Sequence, residues 1–184
     1  MGSQLIKPKP RFETVALVHL DAAYNLARWL LRDQHAAQDA VQEAYLRAFK
    51  YYDMFRGGDI RPWLLGIVRN TCYTWLKQHS RHKEDIEFDE ERDGGSFGVM
   101  HETPENNPES LLLTKQEGAQ INQAISGLPA IFREVLILRE LEEMSYEDIA
   151  AVANIPLGTV MSRLSRARAM LRISLKNKTG REGL

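Results

Sequence analysis

Cys72 is the only cysteine among 184 residues, so no internal disulfide can form. Such sparing thiol usage fits a reducing compartment. Cys72 lies in an apolar helical stretch and is expected in the core, not as a reactive thiol. Long hydrophobic runs are also lacking. Charged residues make up 27% of the chain, and no apolar stretch approaches the roughly 20 residues of a membrane span. The start carries no secretory pattern. It begins Met-Gly, but Ile6 stands where a myristoylation motif wants Ser or Thr. Charge of one sign is missing as well: the formal net charge of −1 argues against a general polyanion binder. His19, His79, His82 and His101 show no metal-ligand spacing.

The near-zero net charge conceals an uneven distribution. Residues 84 to 109 hold ten of the 25 acidic residues and one of the 24 basic ones, so both flanks are basic. That segment carries Gly94, Gly95, Gly98, Pro104 and Pro108 and no apolar period. It reads as an acidic flexible linker over 83–108 between two nucleic-acid-facing modules. A 43% hydrophobic content is enough for folded cores on either side.

The flanks read as all-α, two small helical domains. Residues 1–11 are a flexible lead-in, 12–82 the first domain, 109–176 the second, and 177–184 a flexible tail. In the first domain, apolar Val15, Val18, Ala22, Leu26, Trp29 and Leu30 predict one amphipathic helix from about Thr14 to Leu31, and Arg32 to His35 a turn. A second helix is expected from about Ala36 to Met54. Ala37, Ala40, Val41, Ala44, Tyr45, Ala48 and Tyr52 point inward, and Asp39, Gln42, Glu43, Arg47 and Lys50 outward. That outer face suits a partner or plain solvent. Phe55 to Asp59 is a loop with two glycines. A third helix, from Pro62 to about His82, buries Leu64, Val68, Cys72, Trp75 and Leu76. Its outer side carries Arg69, Asn70, Tyr73, Lys77 and Arg81, either a platform for unstacked bases or ordinary surface cover.

The second domain reads as helices over roughly Glu109–Ser126, Pro129–Leu141, Ser145–Ala153 and Pro156–Lys176, with Pro129 at the first helical position. Met144 to Leu171 has the pattern of a helix-turn-helix. Ser145 and Asp148 form the S-x-x-D version of a capping box. Asn154 suits a left-handed helix end. Pro156 and Gly158 reset the chain, and Val160, Leu164, Ala167 and Leu171 make one apolar stripe. Thr159, Ser162, Ser165 and Arg166 point away from it, with Arg163 on the shoulder. No acid occurs between Thr159 and Thr179. Hydroxyls and arginines on an exposed helix suit a DNA major groove. They also suit a solvated helix with a basic end favoured by its dipole.

Three strings carry a family resemblance. DAVQEAYLRAFKYYDMF (Asp39–Phe55) resembles the conserved helix of region two of bacterial sigma factors. WLLGIVRNTCYTWLK (Trp63–Lys77) resembles the helix after it. LPAIFREVLILRELEEMSYEDIAAVANIPLGTVMSRLSRARAMLR (Leu128–Arg172) resembles region four. Two such modules without an intervening region three resemble the extracytoplasmic-function, or group IV, sigma factors of the sigma-70 family. The resemblance implies that the chain binds core RNA polymerase and promoter DNA and has no catalytic residue or cofactor of its own. Asp39, Gln42 and Glu43 stand where the family meets the clamp helices of the polymerase largest subunit, and region four stands where it meets the flap. The loop from Met54 to Ile60, with Phe55, Arg56 and Asp59, stands where a minus-ten base is flipped out. Arg69, Asn70, Tyr73 and Lys77 lie on the helix that bounds the melted strand. Thr159, Met161, Ser162, Arg163, Ser165 and Arg166 stand in the helix that reads the minus-35 element. Met161 departs from the Lys or Arg common at that position, which implies an altered upstream preference. An anti-sigma factor is an implied partner, and the cytoplasm the implied location.

Two rival readings share parts of this pattern. A free-standing helix-turn-helix regulator uses the same C-terminal helices but leaves Asp39, Gln42 and Glu43 without a role. A metalloenzyme could draw on His35, Asp39 and Glu43, spaced by four on one helix face, but no second helix supplies a matching cluster.

Overall fold

The computed structural model describes residues 10–80 and 118–179, and all regular structure among them is helical. The lead-in over 1–9, the acidic linker, the expected helical turns at 109–117, Arg81 and residues 180–184 lie outside the described residues.

The first module is built from α1 (Phe12–Ala16), a 3₁₀ turn (Leu17–His19), α2 (Leu20–Leu31), α3 (Gln34–Tyr51), a second 3₁₀ turn (Tyr52–Met54) and α4 (Ile60–Ser80). The single helix expected over Thr14–Leu31 is therefore broken at residues 17–19. The break follows from two separate packing demands. Phe12 and Ala16 enter a cluster with Ala48, Tyr52, Ile60 and Leu64. Ala22, Ala23, Leu26 and Leu30 enter the main core instead. A tighter 3₁₀ turn re-aims the chain between them. It also throws Val18 outward, 72% exposed, against its expected inward position.

Arg32 ends α2 in the left-handed region, at φ 58°. The side chain of Asp33 then caps α3 by accepting from the Ala36 amide at 2.8 Å. Along α3, Ala36, Ala37, Ala40, Ala44 and Ala48 are buried. These small residues bring the helix axis close to its neighbours, and α2, α3 and α4 pack on one another. Helix α4 starts two residues before Pro62. The proline then sits in the first turn, where its missing N–H has no intrahelical partner to lose.

The second module contains α5 (118–126), α6 (Ala130–Glu140), α7 (Tyr146–Ala153) and α8 (Leu157–Thr179). Pro129 is the N-cap of α6 and not its first helical residue. Its ψ of 143° is extended, while its carbonyl accepts from the amides of Phe132 and Arg133 at 3.0 Å each. Arg133 is buried and donates to the carbonyls of Ser126 (2.6 Å) and Leu128 (3.2 Å). Burial, then the charge of Arg32, pushes its pKa down to about 10. It remains a cation at neutral pH, held at the carbonyl end of α5 where the helix dipole favours positive charge.

The modules share one core. Leu65, Val68 and Cys72 of α4 cluster with Val135 and Leu138 of α6, Ile149 and Val152 of α7, and Val160 and Leu164 of α8. Helix α4 leans on α7, and α2 on α6. At the α4–α7 crossing, a Cβ on Gly66 would lie 3.7 Å from the Val152 carbonyl oxygen and 3.9 Å from its Cα. Those distances are ordinary van der Waals contact, so the crossing has room for a methyl group but for little more.

Candidate nucleic-acid interface

Helices α7 and α8 form the expected helix-turn-helix. Ser145 accepts from the Asp148 amide at 3.0 Å, and its hydroxyl donates to Asp148 Oδ2 at 2.7 Å. Asn154 closes α7 in the left-handed region at φ 52°, and its amide reaches the Ala150 carbonyl. Arg139 braces the approach to the motif, donating to the Met144 carbonyl at 2.7 Å and lying over the Tyr146 ring. The stripe of Val160, Leu164 and Ala167 is buried, with Leu171 half-buried at its end. Met161, Ser162, Ser165 and Arg166 are exposed on the other side, and Thr159 is half-buried beside them. Downstream, Arg168 is exposed but pairs with Glu140 at 2.7 Å.

Arg163 departs from this open face. It turns inward and donates to Glu134 at 3.3 Å.

The loop after α3 is held by aromatic contacts. Phe55 is half-buried between Tyr52, with centroids 6.3 Å apart, and Trp63, at 5.1 Å. It anchors the loop, whereas Arg56 and Asp59 are exposed at its tip. Gly57 and Gly58 both have φ above +90°, a conformation other residues resist. Asp59 accepts from the Arg61 amide at 2.9 Å and so caps α4.

Helix α4 does not present an open platform. Asn70 and Lys77 are exposed, but Arg69 and Tyr73 lie under the second module. Arg69 donates to both oxygens of Glu134, from Nε at 2.7 Å and from Nη2 at 3.1 Å, and stacks over the Tyr73 ring at 4.4 Å. Burial opposes the arginine's charge, but the hydrogen bonds and charge of Glu134 outweigh it and raise its pKa. The Tyr73 hydroxyl is buried near Glu134 without a hydrogen bond of good geometry. Its pKa is driven up, by burial first and by the Glu134 charge next.

Asp39, Gln42 and Glu43 share the exposed face of α3, where Glu43 pairs with Arg47 at 2.6 Å. Gln42 also borders an apolar groove of about 650 Å³, floored by Tyr24, Val41, Tyr45, Leu46 and Phe49. Leu46 and Phe49 are exposed there. Among the described residues, no group of three His, Cys, Asp or Glu is gathered as a metal site.

Sequence reasoning assigned no role to Glu134 or Glu142. Each is a buried carboxylate of the second module that holds the first. Glu142 accepts from Arg61 at 2.9 Å and from Asn25 at 3.3 Å. One signal was present: Glu134 precedes Ile137 and Leu138 by three and four residues, which places a carboxylate on the apolar stripe of α6.

A helical module packed on a second module that carries a helix-turn-helix defines a two-module class with a DNA-binding motif. Comparison with known proteins narrows it. Residues 17–82 match the family described as Sigma-70 region 2, and residues 118–171 match Sigma-70, region 4. The ECF RNA polymerase sigma factor SigE of Mycolicibacterium smegmatis is 33% identical over 164 residues, covering 89% of this chain and 61% of that protein. The chain thus spans less than two thirds of that relative's length. The ECF RNA polymerase sigma-E factor of Escherichia coli K12 is 38% identical over 133 residues, covering 71% of this chain and 69% of that protein. Among solved structures, the sigma factor RpoE of Bartonella quintana, in complex with the anti-sigma factor NepR, aligns with a TM-score of 0.71 at 28% identity. That alignment covers 90% of this chain and 96% of RpoE. The chain belongs to the extracytoplasmic-function sigma factors of the sigma-70 family.

No helix among the described residues is long and apolar enough to cross a membrane.

Proposed function

We propose that this chain is an alternative sigma factor that binds core RNA polymerase in the cytoplasm and directs promoter-specific initiation. The observation that best supports this reading is the combination on one chain of two exposed faces. One is the hydroxyl and arginine face of α8, and the other is the Asp39, Gln42 and Glu43 face of α3. A regulator acting alone needs only the first.

In this reading, α8 enters the major groove of the minus-35 element, with Thr159, Met161, Ser162, Arg163, Ser165 and Arg166 toward bases and phosphates. The loop at Phe55, Arg56 and Asp59 takes a flipped minus-ten base. Arg69, Asn70, Tyr73 and Lys77 of α4 line the melted strand. Trapping the base offsets the few kcal/mol of unstacking. Asp39, Gln42 and Glu43 dock on the clamp helices of the polymerase largest subunit, with the groove at Leu46 and Phe49 continuing that surface. The second module meets the flap. Phosphodiester chemistry belongs to the polymerase, and this chain contributes binding and positioning. An anti-sigma factor, such as the NepR bound to the Bartonella relative, would regulate it by covering these faces.

Run-off transcription with bacterial core polymerase on a promoter library tests the proposal. Transcripts that require this protein, from templates sharing two spaced elements, support it. Asp39→Lys with Glu43→Lys should abolish them while leaving binding to duplex DNA intact. Duplex binding that never redirects core polymerase would instead favour the free-standing regulator.

A further inference from the structure

The exposed arc of α8 is not uniform. At helical spacing, the buried stripe of Val160, Leu164 and Ala167 leaves an outer arc with distinct edges. Leu157 and Met161, one helical turn apart, form an apolar edge and are 41% and 53% exposed. Gly158, Ser162 and Ser165 form the middle, and Arg166 lies at the far edge beside half-buried Thr159. Polar readers are scarcer here than the composition suggests. Arg163 is drawn inward to Glu134 at 3.3 Å. The Ser162 hydroxyl donates to the Thr159 carbonyl of its own helix at 3.1 Å, which spends its proton. Arg168 is paired with Glu140. A Cβ at Gly158 would meet nothing within 4 Å, so the surface beside Met161 is open to an approaching base edge. Leu157 and Met161 join none of the hydrophobic core clusters among the described residues. Packing of the fold therefore gives no reason for their apolar character.

Residues in the first turns of a recognition helix are the ones that reach base edges. In the major groove, the group that an apolar side chain can read is the C5-methyl of thymine, which neither guanine nor cytosine presents there. We propose that Met161, braced by Leu157, is a specificity residue that reads a thymine methyl in the upstream element. This inference rests on the sigma-factor reading for the existence of that element, and goes beyond it by naming the base and the group read. Where the family resemblance places a cation at 161, this chain replaces a contact to phosphate or to a polar base edge by a methyl contact. The preference at the base pair facing Met161 shifts toward thymine and is not merely weakened.

The full chain, assembled with bacterial core polymerase, should first select its preferred upstream element from a library of duplexes. Each thymine of that element is then replaced singly by deoxyuridine, which removes the C5-methyl and keeps every hydrogen-bonding group. One replacement should weaken binding of the parent about fourfold, the worth of one buried methyl group. The same replacement should have no effect on Met161→Ala and a reduced effect on Leu157→Ala. Arg166→Ala should bind more weakly overall yet keep the full sensitivity to the methyl, because it reads from the opposite edge of the arc. Met161→Ala places the best helix former at an exposed helical position, so the fold should survive, and circular dichroism checks that it does. A parent insensitive to every replacement overturns the proposal. So does a penalty that persists in Met161→Ala, since it would arise from DNA shape or from another side chain. A selected element with protein-dependent run-off transcripts but no methyl sensitivity removes the role of Met161 and leaves the sigma-factor reading standing. Neither a selected element nor transcripts would overturn both.

Discussion

Arg69→Ala should destabilise the folded chain far more than Arg163→Ala, although both remove an arginine from the same carboxylate. Glu134 is wholly buried, while the side chains of Arg69 and Arg163 are 16% and 21% exposed. Arg69 supplies two short bonds, at 2.7 and 3.1 Å, and Arg163 one at 3.3 Å. Loss of Arg69 strands an ionised carboxylate in the interior with a single long contact. Breaking a buried pair in this way costs about 3–5 kcal/mol. The lost stack on Tyr73 adds up to about 1 kcal/mol. Loss of Arg163 leaves the stronger pair intact and should cost about 1 kcal/mol. Glu134→Gln should fall between them, at about 2 kcal/mol, because both arginines sit near enough to the surface to regain water and the amide can still accept a bond. Urea unfolding of the full chain, followed by tryptophan fluorescence and circular dichroism, measures each cost. A double-mutant cycle should assign about 2 kcal/mol or more to Arg69–Glu134 and less than about 1 kcal/mol to Arg163–Glu134. Equal costs for the two arginine variants, or a larger coupling for Arg163, would refute the claim that bidentate geometry and burial set the order.

Ser145→Ala removes the hydroxyl that accepts from the Asp148 amide and should lower stability by about 1 kcal/mol in the same unfolding assay, whereas Ser145→Asp should retain most of it. Burial pushes the Cys72 thiol up to about 12 from an ordinary 9.0, so at about pH 8 its thiolate is roughly a thousandfold scarcer than that of an unperturbed cysteine. Labelling by a thiol reagent should then track unfolding, and prompt labelling of the folded protein would contradict that burial. Arg166, exposed on α8, should lose about 1–3 kcal/mol of upstream-element affinity on truncation to Ala if it forks onto a guanine; unchanged affinity and sequence preference would remove it from the reader. Met161 is 53% exposed on the same face, so Met161→Arg should steepen the salt dependence of duplex binding by about one phosphate contact, and an unaltered slope would place residue 161 away from the backbone.

Local features were legible wherever the governing forces act within a few residues. The Ser145–Asp148 box, the left-handed Asn154 and the stripe of Val160, Leu164 and Ala167 each depend on helical spacing, and the structure reproduces them. Pattern failed first where two packing demands meet within one amphipathic stretch, as at Leu17–His19. It failed again at Pro129, whose role turned on a ψ angle that composition does not encode. Larger misreadings fell on the charged residues of α4 and α8. Periodicity assigns Arg69 to the outer face of α4 and Arg163 to the shoulder of the α8 stripe. What it cannot register is that the outer face of α4 becomes an interior when the second module packs on it, and that α6 supplies a carboxylate there to both Arg69 and its own module's Arg163. The clue was Glu134 itself. A carboxylate on an apolar stripe must be neutralised or bonded, because an unpaired buried charge costs several kcal/mol. The neighbouring Arg133 does not serve that need, since it is spent on the carbonyls of Ser126 and Leu128. Partners for Glu134 therefore had to come from elements distant in sequence. The pool of basic residues on outer faces, including the two cations that the family resemblance assigns to DNA, was where to find them. The same chemistry that suits an arginine to phosphate suits it to a buried carboxylate, so an arginine that the family resemblance assigns to DNA is also able to tie α4 to α6.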